Sequence, residues 1–238
     1  MQKYLNNILI EYDKQDENFV NEIESGLQQK MSAIMQFFEL DELDSFKIKI
    51  WDNLEDFKHF FESMGNEYLD FIIGHTCDCN INILPERLAR LLEPHKNITS
   101  AELAIVVCHE FVHICQREKL GYDSHNNGWF WEALATNLGD PEDFEWVFKE
   151  FNKYVNFEQF TDIDALEKAI FNSSYQYAYL IGYFMIENIE HSKILEYVVN
   201  EDLLQKEAGD ILSSAKDYYK NYQVSKANKA DKNELFRD

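Results

Sequence analysis

A chain of 238 residues, 45% hydrophobic and 15% aromatic, can bury a core in one domain or two closely packed ones, which excludes a disordered or fibrous protein. Its 22 basic against 44 acidic side chains leave a formal net charge of −22, the wrong sign for a partner built on a phosphate backbone, so nucleic acid is excluded as the main ligand. The acidity belongs to residues 1–200, because residues 201–238 are close to neutral, and a self-repelling surface is its simplest meaning.

The first ten residues hold one charge and only short apolar runs, with Glu11, Asp13 and Asp16 close behind, so no secretory leader is expected from them. The longest apolar runs, such as residues 180–186, fall short of the roughly 20 needed to span a bilayer. A cytoplasmic protein without a membrane partner is expected. Across residues 16–40, Phe19, Ile23, Leu27, Met31, Ile34 and Phe38 recur at three- and four-residue spacing, which predicts an amphipathic packing helix. Residues 46–51 alternate with period two and read as a strand. Residues 53–65 turn helical, with Leu54, Phe57, Phe61 and Met64 on one side, and residues 70–74 and 80–84 read as two short strands. A small mixed sheet interrupted by a helix is the result.

Pro85 starts a short helical piece ending near Pro94, and Thr99 or Ser100 can cap a long apolar-rich helix that Gly121 is placed to stop. A loop rich in Gly, Asn and Asp follows, then a short helix over residues 129–138 and a break at Gly139-Asp140-Pro141. Helical patterns continue to about Tyr222, and residues 224–238 read as a polar, flexible tail. Four segments result: 1–45, a helical segment packed on the domain; 46–121, a sheet subdomain with the long helix; 122–223, a helical subdomain; and 224–238. Cys108 and Cys115 lie seven apart on one helix, about 10 Å along its axis and too far to join, while Cys77 and Cys79 flank Asp78 in a strand-like stretch and would share a face. Reduced thiols are expected.

The chemistry centres on His109-Glu110-Phe111-Val112-His113, where two imidazoles four apart share one helix face, the separation that lets both bind one tetrahedral Zn²⁺. Glu110 projects beside that position without being a ligand. The surrounding residues are apolar, so the helix is expected to be buried, and buried imidazoles and carboxylates require partners. The alternative is a pair of core histidines hydrogen-bonded to carboxylates or carbonyls. A catalytic zinc needs a third protein ligand and one open position for water, and Glu132, on the next helix among Trp129, Phe130, Trp131 and Ala133, is the candidate.

With these residues the sequence resembles the gluzincin metallopeptidases, zincins of His-Glu-x-x-His type whose third ligand is a Glu from the following helix. The eighteen residues between His113 and Glu132 match the aminopeptidase branch of that group, and Trp131-Glu132-Ala133-Leu134-Ala135 is similar to the pattern of the small peptidase MA-like domains. The resemblance covers about residues 46–199. It implies an α+β zincin-like fold, zinc-dependent hydrolysis of a peptide or protein substrate, His109, His113 and Glu132 as metal ligands, and Glu110 as general base. It also implies that residues 80–84 form the edge strand that pairs with an extended substrate. Tyr175, followed three residues later by Ala178, resembles the family's oxyanion-binding tyrosine, with Tyr179 on the same face as the reserve.

Two departures bear on activity. Residues 74–79 lack the signature that aminopeptidases use to hold a free amine, which favours an endopeptidase, and Thr136 stands where another gluzincin branch has an Asp that orients a zinc-bound His, leaving Thr136 or Asn137 as substitutes. His75, His125 and His191 have no partner at metal-ligand spacing, His125 being the one in the loop between the two helices of the site. Asn97-Ile98-Thr99 and Asn172-Ser173-Ser174 match the glycosylation pattern, which has no bearing without a secretory leader. A different class of function stays open from the sequence alone: a zinc-stabilised, non-catalytic protein-binding module.

Overall fold

The computed structural model describes residues 1–65, 67–121, 128–139, 156–172 and 175–234. The chain divides into two compact units, residues 1–125 with 135–141, and residues 126–134 with 142–238. Helix α5, Gly128–Gly139, is common to both, contributing its first half to one and its second half to the other.

The first unit is built on a five-stranded mixed sheet with the order β1-β2-β3-β5-β4. Strands β1 (Gln2–Leu5) and β2 (Ile8–Glu11) form an antiparallel hairpin ahead of the first helix, in a segment expected to be helical only. Asn6 turns that hairpin at φ 54°, a left-handed conformation that a short polar side chain tolerates. Four residues per strand and a turn without glycine leave little periodicity to read, although Ile8 and Ile10 are fully buried. Helix α1 (Glu17–Phe37) carries the chain across to β3 (Phe46–Ile50), which pairs parallel with β2. Of its predicted apolar stripe, Phe19, Ile23, Leu27 and Ile34 are buried and Met31 is half-buried, with Phe38 buried just past the helix end.

Helix α2 (Leu54–Ser63) is capped by Asn53 and buries Phe57 and Phe61. Strands β4 (Gly74–Cys77) and β5 (Asn80–Ile83) follow as an antiparallel hairpin, with β5 parallel to β3. This corrects the expectation that residues 80–84 form the edge: β5 lies inside the sheet, and β4 is the edge strand on that side, with β1 at the other. The cause is local. Asp78 and Cys79 both take positive φ, 46° and 56°, the backbone of a two-residue type I′ turn, which folds β4 back along the outer side of β5. Cys77 therefore ends a strand while Cys79 sits in the turn, and the two do not share a strand face as expected.

Helix α3 (Glu86–Ala89) leads to α4 (Ser100–Leu120). Of the two candidate caps, Thr99 is the one used. Its hydroxyl accepts from the Glu102 amide at 3.2 Å, and the Glu102 carboxylate accepts from the Thr99 amide at 2.8 Å, a reciprocal capping box. Glu86 adds a brace by accepting from the Ser100 amide and hydroxyl at 2.8 and 2.7 Å. Gly121 ends the helix at φ 89°, as expected. Along α4 the buried residues run from Leu103 to Gln116, and α1 packs closely enough that a Cβ on Gly26 would lie 3.4 Å from Cys108 Sγ.

In the second unit, every described element is helical: α6 (Ile163–Phe171), α7 (Tyr175–Asn188), α8 (His191–Val199) and α9 (Glu201–Glu234), after a short 3-10 turn at Phe157–Gln159. Helix α9 runs through much of the polar stretch read as a tail. Its core is aromatic, with Phe157 and Tyr219 stacked at 5.1 Å. Among the described residues, no helix is long and apolar enough to cross a membrane. Residues 140–155, where a break and further helix were expected, lie outside the described residues.

Candidate metal centre

Helix α4 places His109 and His113 one turn apart, with ring centroids 4.9 Å from each other and planes at 85°. Both are half-buried, whereas most of the residues between and around them are fully buried. The ring of His113 is fixed from behind: Nδ1 lies 2.7 Å from Oε1 of Gln116, a fully buried residue one turn further on. An amide oxygen only accepts, so this contact calls for the proton on Nδ1, and in the neutral ring that leaves Nε2 with its lone pair, the tautomer a metal requires.

Glu110 faces the sheet. It is 7% exposed, and its Oε2 accepts from the Thr76 hydroxyl at 2.7 Å. Thr76 belongs to the edge strand β4, so the carboxylate expected to act as base is tied to that strand.

Glu132 lies on α5, half-buried, with Oε2 fully covered, among the buried Trp129, Phe130, Trp131, Ala133, Leu134 and Ala135. One ligand atom from each of His109, His113 and Glu132 lies within 4.8 Å of the others. Two imidazole nitrogens and a carboxylate oxygen are the donor set that Zn²⁺ takes in catalytic sites, so the residues present fit that ion. Among the described residues this is the one group of three His, Cys, Asp or Glu side chains so placed.

The end of α5 is anchored on α4 at a glycine. A Cβ on Gly139 would come within 2.5 Å of the His109 Cα and 2.6 Å of its amide nitrogen, so only glycine permits this approach. The Gly139 carbonyl also accepts from Lys30 Nζ at 2.5 Å.

The remaining candidates each have their own local setting. Tyr175 opens α7 and is half-buried, and Tyr179 is buried with its ring 6.4 Å from that of Tyr183. Thr136 and Asn137 are half-buried on α5. His75 packs edge-on against Phe61 at 5.2 Å, His191 starts α8, and His125 lies outside the described residues. The four cysteines are free thiols. Burial pushes the Cys77 thiol up, with the Asp78 charge adding to it, and burial pushes Cys115 far higher, so neither is poised as a thiolate nucleophile.

Sequence reasoning did not single out Gln116, Gly74 or Thr76. Gln116 carried the clearest signal, a polar residue three after a candidate ligand, directly behind the apolar pair Ile114-Cys115. No protein-family model, no curated protein and no solved structure matches this chain.

Proposed function

We propose that the chain is a zinc-dependent peptidase of gluzincin type with a zincin-like arrangement, acting on peptide bonds within a chain. The observation that carries this reading is the His109–His113 pair, 4.9 Å apart on one face of α4, with Gln116 holding Nδ1 of His113 so that Nε2 is offered to a metal. Glu132 would be the third ligand. A zinc ion held there supplies Lewis-acid chemistry, acidifying water and polarising a scissile carbonyl.

The chain's own residues do the rest. Glu110 takes one proton from the attacking water as its oxygen bonds to the carbonyl carbon, then delivers that proton to the nitrogen as the C–N bond breaks. Tyr175, by resemblance, donates a hydrogen bond to the oxyanion that develops in between. The hairpin over residues 74–83 carries no amine-holding signature, which supports internal cleavage. Four free thiols fit a reducing compartment, the cytoplasm.

The test is cleavage profiling on a proteome-derived peptide library, with and without a zinc chelator, beside native mass spectrometry of the bound ion. Glu110→Gln is expected to keep one zinc and lose about 10²–10⁴-fold in turnover, and His113→Ala to lose both metal and turnover. Cleavage that survives the chelator, or Glu110→Gln at the wild-type rate, removes the reading.

A further inference from the structure

Side chains two apart on a strand face the same side, so Gly74 and Thr76 of β4 both turn toward α4. At position 74 the fit is too close for a side chain: a Cβ there would lie 2.8 Å from Val106 Cγ1 and 3.4 Å from Glu110 Oε1. At position 76 the approach places a hydroxyl against the carboxylate. Thr76 is 4% exposed, and its Oγ1 lies 2.7 Å from Glu110 Oε2 and 3.1 Å from the Glu110 main-chain oxygen. Both partner atoms only accept, so the single hydroxyl proton goes to the shorter contact, the carboxylate. A threonine is stiff about χ1, which makes the position of that hydroxyl a property of the strand backbone.

We propose that Thr76 is a positioning residue for Glu110: it pins Oε2 from the edge strand and leaves Oε1 as the oxygen that receives the proton from water. The inference rests on the peptidase reading for its kinetic consequence, but the bond itself is independent of it. A carboxylate on a helix has several rotamers, and only those that point its free oxygen at the reacting water are productive. Fixing one oxygen removes that search. It also ties the geometry of the base to the strand at the sheet edge, so the two move together.

The experiment has two arms. On the zinc-loaded protein, with a fluorescence-quenched peptide that the wild type cleaves, Thr76→Val is expected to lower kcat about 10- to 100-fold at unchanged KM and unchanged zinc affinity, while Thr76→Ser stays within about threefold of wild type. On the metal-free protein, urea unfolding of Thr76→Val, Glu110→Gln and the double variant is expected to be non-additive, which reads the bond without any catalysis. Wild-type kcat in Thr76→Val, a loss that serine does not restore, a loss that tracks zinc content, or additive unfolding overturns the proposal. Failure of the peptidase reading shows differently, as a wild-type protein without chelator-sensitive cleavage, and the unfolding arm then decides on Thr76 by itself.

Discussion

Helices α4 and α7 each carry a cluster of chemically able side chains, and the clusters differ in how much of their arrangement is dictated. On α4 the two histidines share a face at a spacing of four, half-buried, while Glu110, one step round, is driven inward to the sheet. On α7 four tyrosines fall at positions 175, 177, 179 and 183, and their environments sort them. The Tyr177 hydroxyl accepts from Gln159 at 2.6 Å and its ring lies 4.7 Å from that of Phe160, so it is a packing residue. A role follows from spacing where the chemistry needs two groups at a fixed separation, and from burial where the residue type alone is repeated.

The sharpest way to break that contrast is to remove hydroxyls from α7 one at a time. Tyr175→Phe is expected to lower kcat about 10²–10³-fold with zinc retained, and Tyr177→Phe to leave kcat in place while costing about 1 kcal/mol of stability. If Tyr179→Phe takes the kinetic loss instead, the oxyanion role passes to the buried member of the pair. On α4 the matching test is Gln116→Leu, which removes the acceptor behind His113. Zinc affinity, read by competition with a chromophoric chelator, is expected to fall about 10- to 100-fold, and Gln116→Glu, which keeps an acceptor oxygen, to hold most of it. Unchanged affinity in Gln116→Leu would mean that the tautomer of His113 is set elsewhere.

The candidate site was legible in the sequence as a set of residues to the extent that its members lie along single helices. His109, Glu110 and His113 follow from a five-residue motif, and Glu132 from its aromatic and alanine neighbours on the next helix. Of the residues that hold them in place, Gln116 lies on the same helix and left a signal, whereas Thr76 and Gly139 were not legible, because each acts across elements. Thr76 meets Glu110 over a sequence separation of 34, and Gly139 meets His109 over 30, distances at which no periodicity carries information. The fold divides in the same way. The stripe of α1 and the caps of α4 are local and were readable, whereas the edge position of β4 depends on a turn, Asp78-Cys79, whose left-handed backbone is taken without the usual Asn-Gly pair. The N-terminal hairpin was hidden for the same reason, since its strands are short and β3, the parallel partner of β2, begins 35 residues after β2 ends.

The smallest expected effect asks whether the start of α4 matters to the histidine pair further along it. Thr99 lies ten residues before His109, about 15 Å along the axis, and its capping box is backed by the bonds from Ser100 to Glu86. Thr99→Ala is therefore expected to cost about 1 kcal/mol or less in urea unfolding and to leave zinc affinity unchanged. Between the cap and the two histidines, Leu103, Ala104, Val107 and Cys108 are buried, so fraying at the first turn has no path to them that does not first unpack the core. A loss of zinc affinity in Thr99→Ala would show that α4 shifts as a rigid rod, and the approach of Gly139 to His109 would then be the contact through which the shift reaches α5.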